Sequence, residues 1–199
     1  MREIISIGRQ FGSGGREIGR KLAEKLGYNF YDRDILRAAS RKLNMPEAIL
    51  ERTDESSYNS LLYSLVMSTK IAPFEDRLAK EEANYLMRQA EKGSCVIVGR
   101  CANHLFQDDP GLLSIFITSP MEKRIQQVCA RFNLDAGSAE KMIMATDRKR
   151  DNYYYYHTNH RWSDISQYHY VLDSAVLGEE DTVNLLAQIV RLRDKNLEK

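Results

Sequence analysis

The sequence predicts an α/β fold, a three-layer sandwich in which helices flank a five-stranded parallel sheet. Three observations lead there. Short apolar runs rich in β-branched residues, such as Ile4, Ile5 and Ile7 or Val96, Ile97 and Val98, are bounded by glycine or polar residues, as strands buried on both faces are. Longer segments with apolar residues three and four positions apart separate them, the mark of amphipathic helices. Strands alternating with helices build a parallel sheet covered on both sides.

Taken in order, the first strand leads through a glycine-rich turn into a helix over residues 15–26, with Ile18, Leu22 and Leu26 on one face and Gly27 as its C-cap. YNFYD at 28–32 reads as the second strand. From Arg33 the pattern turns helical, with Ile35, Leu36, Ala39 and Leu43 in one stripe, and Pro46 suits the start of a helix over 45–52. Residues 53–60 are polar and turn-rich, and 61–72 suit either a helix or a cap over a site. Residues 74–92 form a clearer amphipathic helix through Leu78, Tyr85, Leu86 and Ala90, ended by Gly93. So long a helical stretch between two strands exceeds one crossover helix and predicts an inserted lobe.

The third strand is SCVIVGR at 94–100, followed by a short helix over 101–106, the turn QDDPG and a fourth strand over 112–118. Ser119 suits an N-cap and Pro120 the first position of a helix to about 132. A further helix over 136–156 ends in a charged and then an aromatic run, TDRKRDNYYYY. Residues 157–166 read as a loop, 169–173 as the fifth strand, 174–178 as a loop, and 179–193 as a closing helix with Val183, Leu186 and Val190 inward.

Composition narrows the function classes. The 199 residues suffice for one well-buried core and fall short of two full domains. With 43% hydrophobic and 29% charged residues and a net charge of +1, the chain has no global pull toward nucleic acid or anionic membrane, so any anion site must be local. Cys95, Cys101 and Cys129 lack C-x-x-C spacing, which predicts reduced thiols and a cytoplasmic protein. No run approaches a membrane span or a secretory h-region.

The chemistry begins at the glycine-rich turn. Gly8, Gly12, Gly14 and Gly15 let the backbone reach positive φ and approach a ligand closely. Such a turn between a buried strand and a helix aims backbone N–H groups and the positive end of the helix dipole at one spot, which suits phosphate. The usual phosphate loop ends G-K-[ST], its lysine reaching the β- and γ-phosphates. Here Gly15 stands at the lysine position, followed by Arg16 and Glu17.

Other strand ends carry polar residues too: Asp32, Gly99-Arg100 and Asp173-Ser174. In a parallel sheet these converge on one edge, where ligands bind. Arg148, Lys149 and Arg150 between Asp147 and Asp151 fit either a solvated, self-compensated helix face or a basic lid over transferring phosphate. His157, His160 and Asp164 lack a closed ligand set, so no metal site is assigned to them. Tyr153 to Tyr156 and Trp162 suit base stacking in part, though consecutive helical aromatics face in all directions, and Cys101 reads as a buried thiol or a reactive one beside Arg100.

Through these residues the chain resembles the nucleoside monophosphate kinases, and within them the cytidylate kinase-like family. The resemblance runs through ISIGRQFGSGGREIGRKLAEKLG with FYD behind it, VIVGR, MEKRIQQVCAR, DRKRDNYYYY and YVLDSAVLGEEDTVNLL. It implies a single phosphate-loop domain over 1–199, with a helical nucleotide-monophosphate insert at about 33–92 and an arginine-bearing lid at about 146–166. It also implies transfer of the γ-phosphoryl group of ATP, with Mg²⁺, to CMP or dCMP. By position, Gly12, Ser13, Gly14, Gly15, Arg16 and Glu17 would surround the ATP phosphates, Asp32 and Arg100 would meet the acceptor nucleotide, and Arg148 and Arg150 would be lid arginines.

Departures from the family pattern accompany the match. The loop lysine is missing, Cys101 replaces the Asp of a G-R-D stretch, and Arg37 is the nearest counterpart of an acceptor-phosphate arginine. Arg16, one residue late, is expected to supply the missing charge, and Glu17 to hold Mg²⁺ directly or through water. The reading is a nucleotide-binding phosphotransferase acting on a small-molecule acceptor. Its rivals are a kinase for another small acceptor and a nucleotide-binding sensor or partner-binding module without turnover.

Overall fold

The computed structural model of the chain describes residues 2–32 and 72–197. It divides into two compact units, one made of Met1–Phe30 with Gly93–Lys199 and the other of Tyr31–Lys92. The expected helices at 33–43 and 45–52, and nearly all of the stretch 61–72, lie outside the described residues.

The first unit contains the sheet. Strand β1 (Ile4–Arg9) runs into helix α1 (Gly15–Leu26), and the short strand β2 is Asn29–Tyr31. Gly27, at φ 70°, ends α1 in the left-handed conformation, and its N–H returns to the last turn. After the second unit, whose described helix is α2 (Ala72–Ala90), come β3 (Cys95–Val98), the one-turn helix α3 (Ala102–Leu105), β4 (Leu112–Thr118), α4 (Met121–Phe132) and α5 (Ala136–Thr158). A 3₁₀ turn at Ile165–Gln167 leads to β5 (Tyr170–Asp173) and α6 (Ser174–Leu197).

The sheet is five-stranded and parallel, in the order β2-β3-β1-β4-β5. Strand β1 lies at its centre, with Ile4 opposite Cys95 on one side and opposite Leu112 on the other, a register that ends with Arg9 opposite Ile117. The period of two sends alternate residues to opposite faces. Ile5, Ile7, Ile115 and Ile117 pack with Ile18 and Leu22 of α1 and Val183, Leu186 and Val190 of α6. Phe116, on the other face, packs with Tyr154, Trp162 and Tyr168. Each fully buried Ile or Leu in this core stabilises the fold by about 1.5–3 kcal/mol.

Some boundaries differ from the sequence expectation, for local reasons. Pro120, at ψ 144°, is the N-cap of α4 rather than its first residue, and Ser119 is drawn away because its N–H donates to Gln10 Oε1. Helix α5 continues to Thr158, whose Oγ1 donates to the carbonyl of Tyr154, and Asn159 at φ 59° ends it. Residues 174–178 are not a loop: Ser174 opens α6, and the interruption is confined to Gly178 (φ 77°, ψ 173°). In the second unit Tyr31 donates to Gln89 Oε1 at 3.3 Å and meets the Tyr85 ring edge-on at 6.3 Å. No described helix is long and apolar enough to cross a membrane.

Candidate functional site

At the carboxyl end of β1 the chain turns through residues 10–14, with Gly12 at φ 81° and Gly14 at φ 74°. A Cβ built on Gly12 would lie 3.0 Å from both the Cβ and the carbonyl oxygen of Arg124, so the turn is pressed against α4. Ser13 is buried, and its N–H and Oγ both donate to the Gln10 carbonyl, at 3.3 and 2.9 Å. The Ser13 carbonyl accepts from Ser174 Oγ at 2.7 Å, and Gln10 Oε1 accepts from Thr118 Oγ1 at 2.8 Å. The loop is thereby fastened to the ends of β4 and β5.

Helix α1 starts at Gly15 with Gly14 as its N-cap and no capping side chain. Its first-turn N–H groups have no intrahelical acceptor, so they and the positive end of the helix dipole are placed as an anion would require, with Arg16 and Glu17 in the same turn. Glu17 also accepts from Arg20 at 3.0 Å.

Helix α5 grips the loop from the other side. Asp147 Oδ1 accepts from the Phe11 N–H at 2.8 Å, and Asp147 Oδ2 accepts from Arg124 Nη1 at 2.6 Å. One turn on, Arg150 Nη1 donates to the Arg9 carbonyl at 2.9 Å, with its Cζ 5.5 Å from the centre of the Phe11 ring. Residues 147 and 150 are three apart and share a helix face. Between them Arg148 is exposed, and burial pushes the Lys149 ammonium pKa down.

The turn after β3 is the most contorted backbone described. Gly99, Arg100 and Cys101 lie in succession at φ 81°, 57° and 52°. Left-handed conformations at non-glycine residues cost about 1–3 kcal/mol each and gather at ligand-binding positions. The Arg100 guanidinium sits 5.9 Å from the centre of the Tyr153 ring, and that ring also meets the His157 ring at 4.4 Å. Cys101 packs against the Phe116, Tyr154, Trp162 and Tyr168 cluster.

The aromatic run divides accordingly. Tyr154 is buried and accepts from Asn103 Nδ2 at 2.7 Å, while Tyr155 and Tyr156 are exposed. Trp162 is buried edge-on against Phe116 at 5.0 Å, and its backbone N–H donates to Asp151 Oδ1 at 3.0 Å, so the ring packs rather than offering a face to a base. Burial pushes the Tyr168 hydroxyl pKa far up, and this hydroxyl donates to the Trp162 carbonyl.

Of the residues singled out from sequence, Gly12 to Glu17 and Arg150 meet at the end of β1, and Arg100 stands at the end of the neighbouring β3. Asp32 follows β2 in the second unit, and Arg37 lies outside the described residues. Gln10, Arg124 and Asp147 were not assigned roles from sequence, since polar residues at these positions carry no motif.

The donor set fits a nucleotide. An uncapped helix start behind two left-handed glycines is an arrangement suited to anionic oxygens. It also fits Mg²⁺ in the way that ion is ordinarily held, through one or two carboxylates together with the substrate's phosphates, with Glu17 as the carboxylate.

A family model described as the cytidylate kinase-like family matches residues 4–176. The chain belongs to the cytidylate kinase-like family. A curated relative, the cytidylate kinase of Methanopyrus kandleri, is 24% identical over 192 residues, covering 92% of this chain and 90% of that protein. Among solved structures, an uncharacterized protein from Eubacterium ventriosum superposes with a TM-score of 0.73 at 24% identity, covering 96% of this chain and 99% of the other. Shikimate kinase from Bacteroides thetaiotaomicron superposes at 0.58 with 15% identity, covering 96% of this chain and 99% of the other. These likenesses show the phosphate-loop kinase fold.

Proposed function

We propose that this cytidylate kinase-like protein is an ATP-dependent phosphotransferase that moves the γ-phosphoryl group to CMP, dCMP or a related small acceptor. The observation that carries the reading is the uncapped start of α1 behind a loop already held in shape by Ser174, Gln10 and Asp147. Preorganised amides of this kind stabilise charge without reorganising as the reaction proceeds. In the transfer, the bond from the γ-phosphorus to the bridging oxygen of ADP breaks and a bond to an acceptor oxygen forms, so positioning and positive charge do most of the work.

In this reading Gly12 to Glu17 surround the ATP phosphates, with the amides at the start of α1 donating while the Ser13 N–H stays on the Gln10 carbonyl, and Arg16, Arg148 and Arg150 offset charge on the transferring group. Arg100, with Arg37, receives the acceptor's phosphate, and Asp32 the acceptor nucleoside. Mg²⁺ entering with the nucleotide would be held by Glu17, directly or through water, and would neutralise phosphate charge. The lid role of residues 146–166 and the insert role of 33–92 belong to the same reading.

A coupled ADP-release assay over CMP, dCMP, UMP, AMP and small alcohols such as shikimate tests it. Turnover with CMP or dCMP above the others is expected. ATP binding without ADP release for any acceptor would favour a binding module, a rival that the glycine at position 15 supports. Arg16→Ala is expected to lower turnover by about 10², the effect of losing one charge-stabilising group; unchanged turnover would remove Arg16 from the site.

A further inference from the structure

We propose that Arg9 takes the place of the missing loop lysine, bringing its guanidinium to the terminal phosphates of the nucleotide from the end of β1 rather than from the start of α1. The inference rests on the nucleotide-binding reading above. Strand β1 sends Ile5, Ile7 and Arg9 to one face by its period of two, and Ile5 and Ile7 pack under α1. Arg9 continues that row past the core, directly beneath the first residue of α1.

The direction a side chain on residue 15 would take is occupied. A Cβ built on Gly15 would lie 2.6 Å from Arg9 Cβ and 3.2 Å from Arg9 Cγ, with Ile117 Cβ at 3.1 Å. No lysine fits there while Arg9 is present. The other end of the Arg9 side chain passes a second glycine: a Cβ on Gly99 would collide with Arg9 Nη1 and stand 3.4 Å from Cζ. The side chain thus runs from the start of α1 to the turn after β3, in a course that two glycines leave open.

The surroundings favour an anion at that point. Arg100 follows Gly99 immediately, and Arg150 donates to the carbonyl of Arg9 itself. Three arginines therefore gather at the carboxyl end of β1 and β3, where the loop amides also converge. Arginine does at this position what a lysine does as a point charge, with a planar fork that engages two phosphate oxygens at once. The exchange is a coupled one: a glycine replaces the long residue on the loop, and a long residue replaces a smaller one on the strand.

Isothermal titration of ATP and AMP into the full-length protein and its variants tests this. ATP binding by the wild type is the condition of the nucleotide-binding reading; if it is absent, that reading falls and the proposal with it. Given that binding, Arg9→Met, which keeps the stem and removes the charge, is expected to weaken ATP by about tenfold or more, the size of one charge-assisted hydrogen bond, and to leave AMP unchanged. Arg9→Lys is expected to retain ATP affinity within about threefold by the same scale. A swap covers the case in which Arg9→Met does not fold: Gly15→Lys alone loses ATP binding to the collision with the Cβ of residue 9, and Arg9→Gly with Gly15→Lys, which removes that Cβ, recovers the affinity that Arg9→Gly loses. Unchanged ATP affinity in Arg9→Met, equal losses for ATP and AMP, or a swap no better than Arg9→Gly would overturn the proposal while leaving the nucleotide site standing.

Discussion

Helices α1 and α5 begin in opposite ways. At α5 the carboxylate of Asp135 accepts from the N–H of Ser138 at 3.0 Å, and hydrogen bonds from Ser138 hold its pKa below the usual carboxylate range. At α1 the equivalent position is Gly14, left-handed and without a side chain to offer. One helix satisfies its own first-turn amides with a side chain, as structural helices do; the other has no capping side chain and relies on tertiary ties from Ser174, Gln10 and Asp147 to hold its entry. On the proposed reading, that uncapped end is where a nucleotide completes the structure.

The sharpest way to break the contrast is to make α1 begin like α5. Gly14→Asp has room, since a Cβ there would meet nothing closer than 3.9 Å, and aspartate tolerates the left-handed conformation better than most residues. A carboxylate about 4 Å from a phosphate opposes it by about 4 kcal/mol at an effective dielectric near 20, so ATP affinity is expected to fall by about 10³ in titration. Unaltered affinity would show that the amides of α1 are not the anion site.

Next in size is the tie from α5. Asp147→Asn leaves the Arg124 guanidinium, 7% exposed, without its carboxylate partner, and is expected to cost about 3 kcal/mol. That corresponds to a melting temperature lower by about 10 °C in thermal denaturation, with nucleotide binding weakened as the Phe11 end of the loop loosens. Loss of stability without any loss of ATP affinity would separate the tie from the site.

Asp135→Ala sharpens the contrast from the other side. Its removal is expected to lower the melting temperature by about 2–4 °C and leave ATP affinity unchanged, because this cap serves only its own helix. The smallest effect concerns pH. His169 Nδ1 accepts from the Ser114 N–H at 3.1 Å, and burial together with Arg193 lowers its pKa, so the folded state binds its proton less readily than the unfolded chain. Stability from this group is complete above about pH 6.5 and declines as pH falls below it. Denaturation midpoints at pH 7.5 and 5.5 should differ more in the wild type than in His169→Gln, and equal differences would count against the assignment.

Most of the sheet was legible because its strands obey one local rule. Leu112 to Thr118 are apolar on both faces, and so the strand's ends follow from composition alone. The start of α1 was legible for a similar reason, since glycines at Gly12 and Gly14 announce positive φ. Where long-range partners decide, the sequence was silent. Ser119 looked like a cap until Gln10, more than a hundred residues away, claimed its N–H. Trp162 suited a stacking role from sequence, because nothing local tells that Phe116 and Asp151 hold it in place.

The bond from Ser174 to Ser13 spans 161 positions of sequence. Ribosomes deliver residues in order, so the amino-terminal turn emerges long before the hydroxyl that fixes its shape. A nascent chain short of residue 174 carries the turn without that clasp, so on the proposed reading competence to capture a nucleotide arrives late in synthesis. Cellular ATP, present at every moment of translation, would then stabilise only nearly finished molecules, giving the completed protein an advantage over its own fragments.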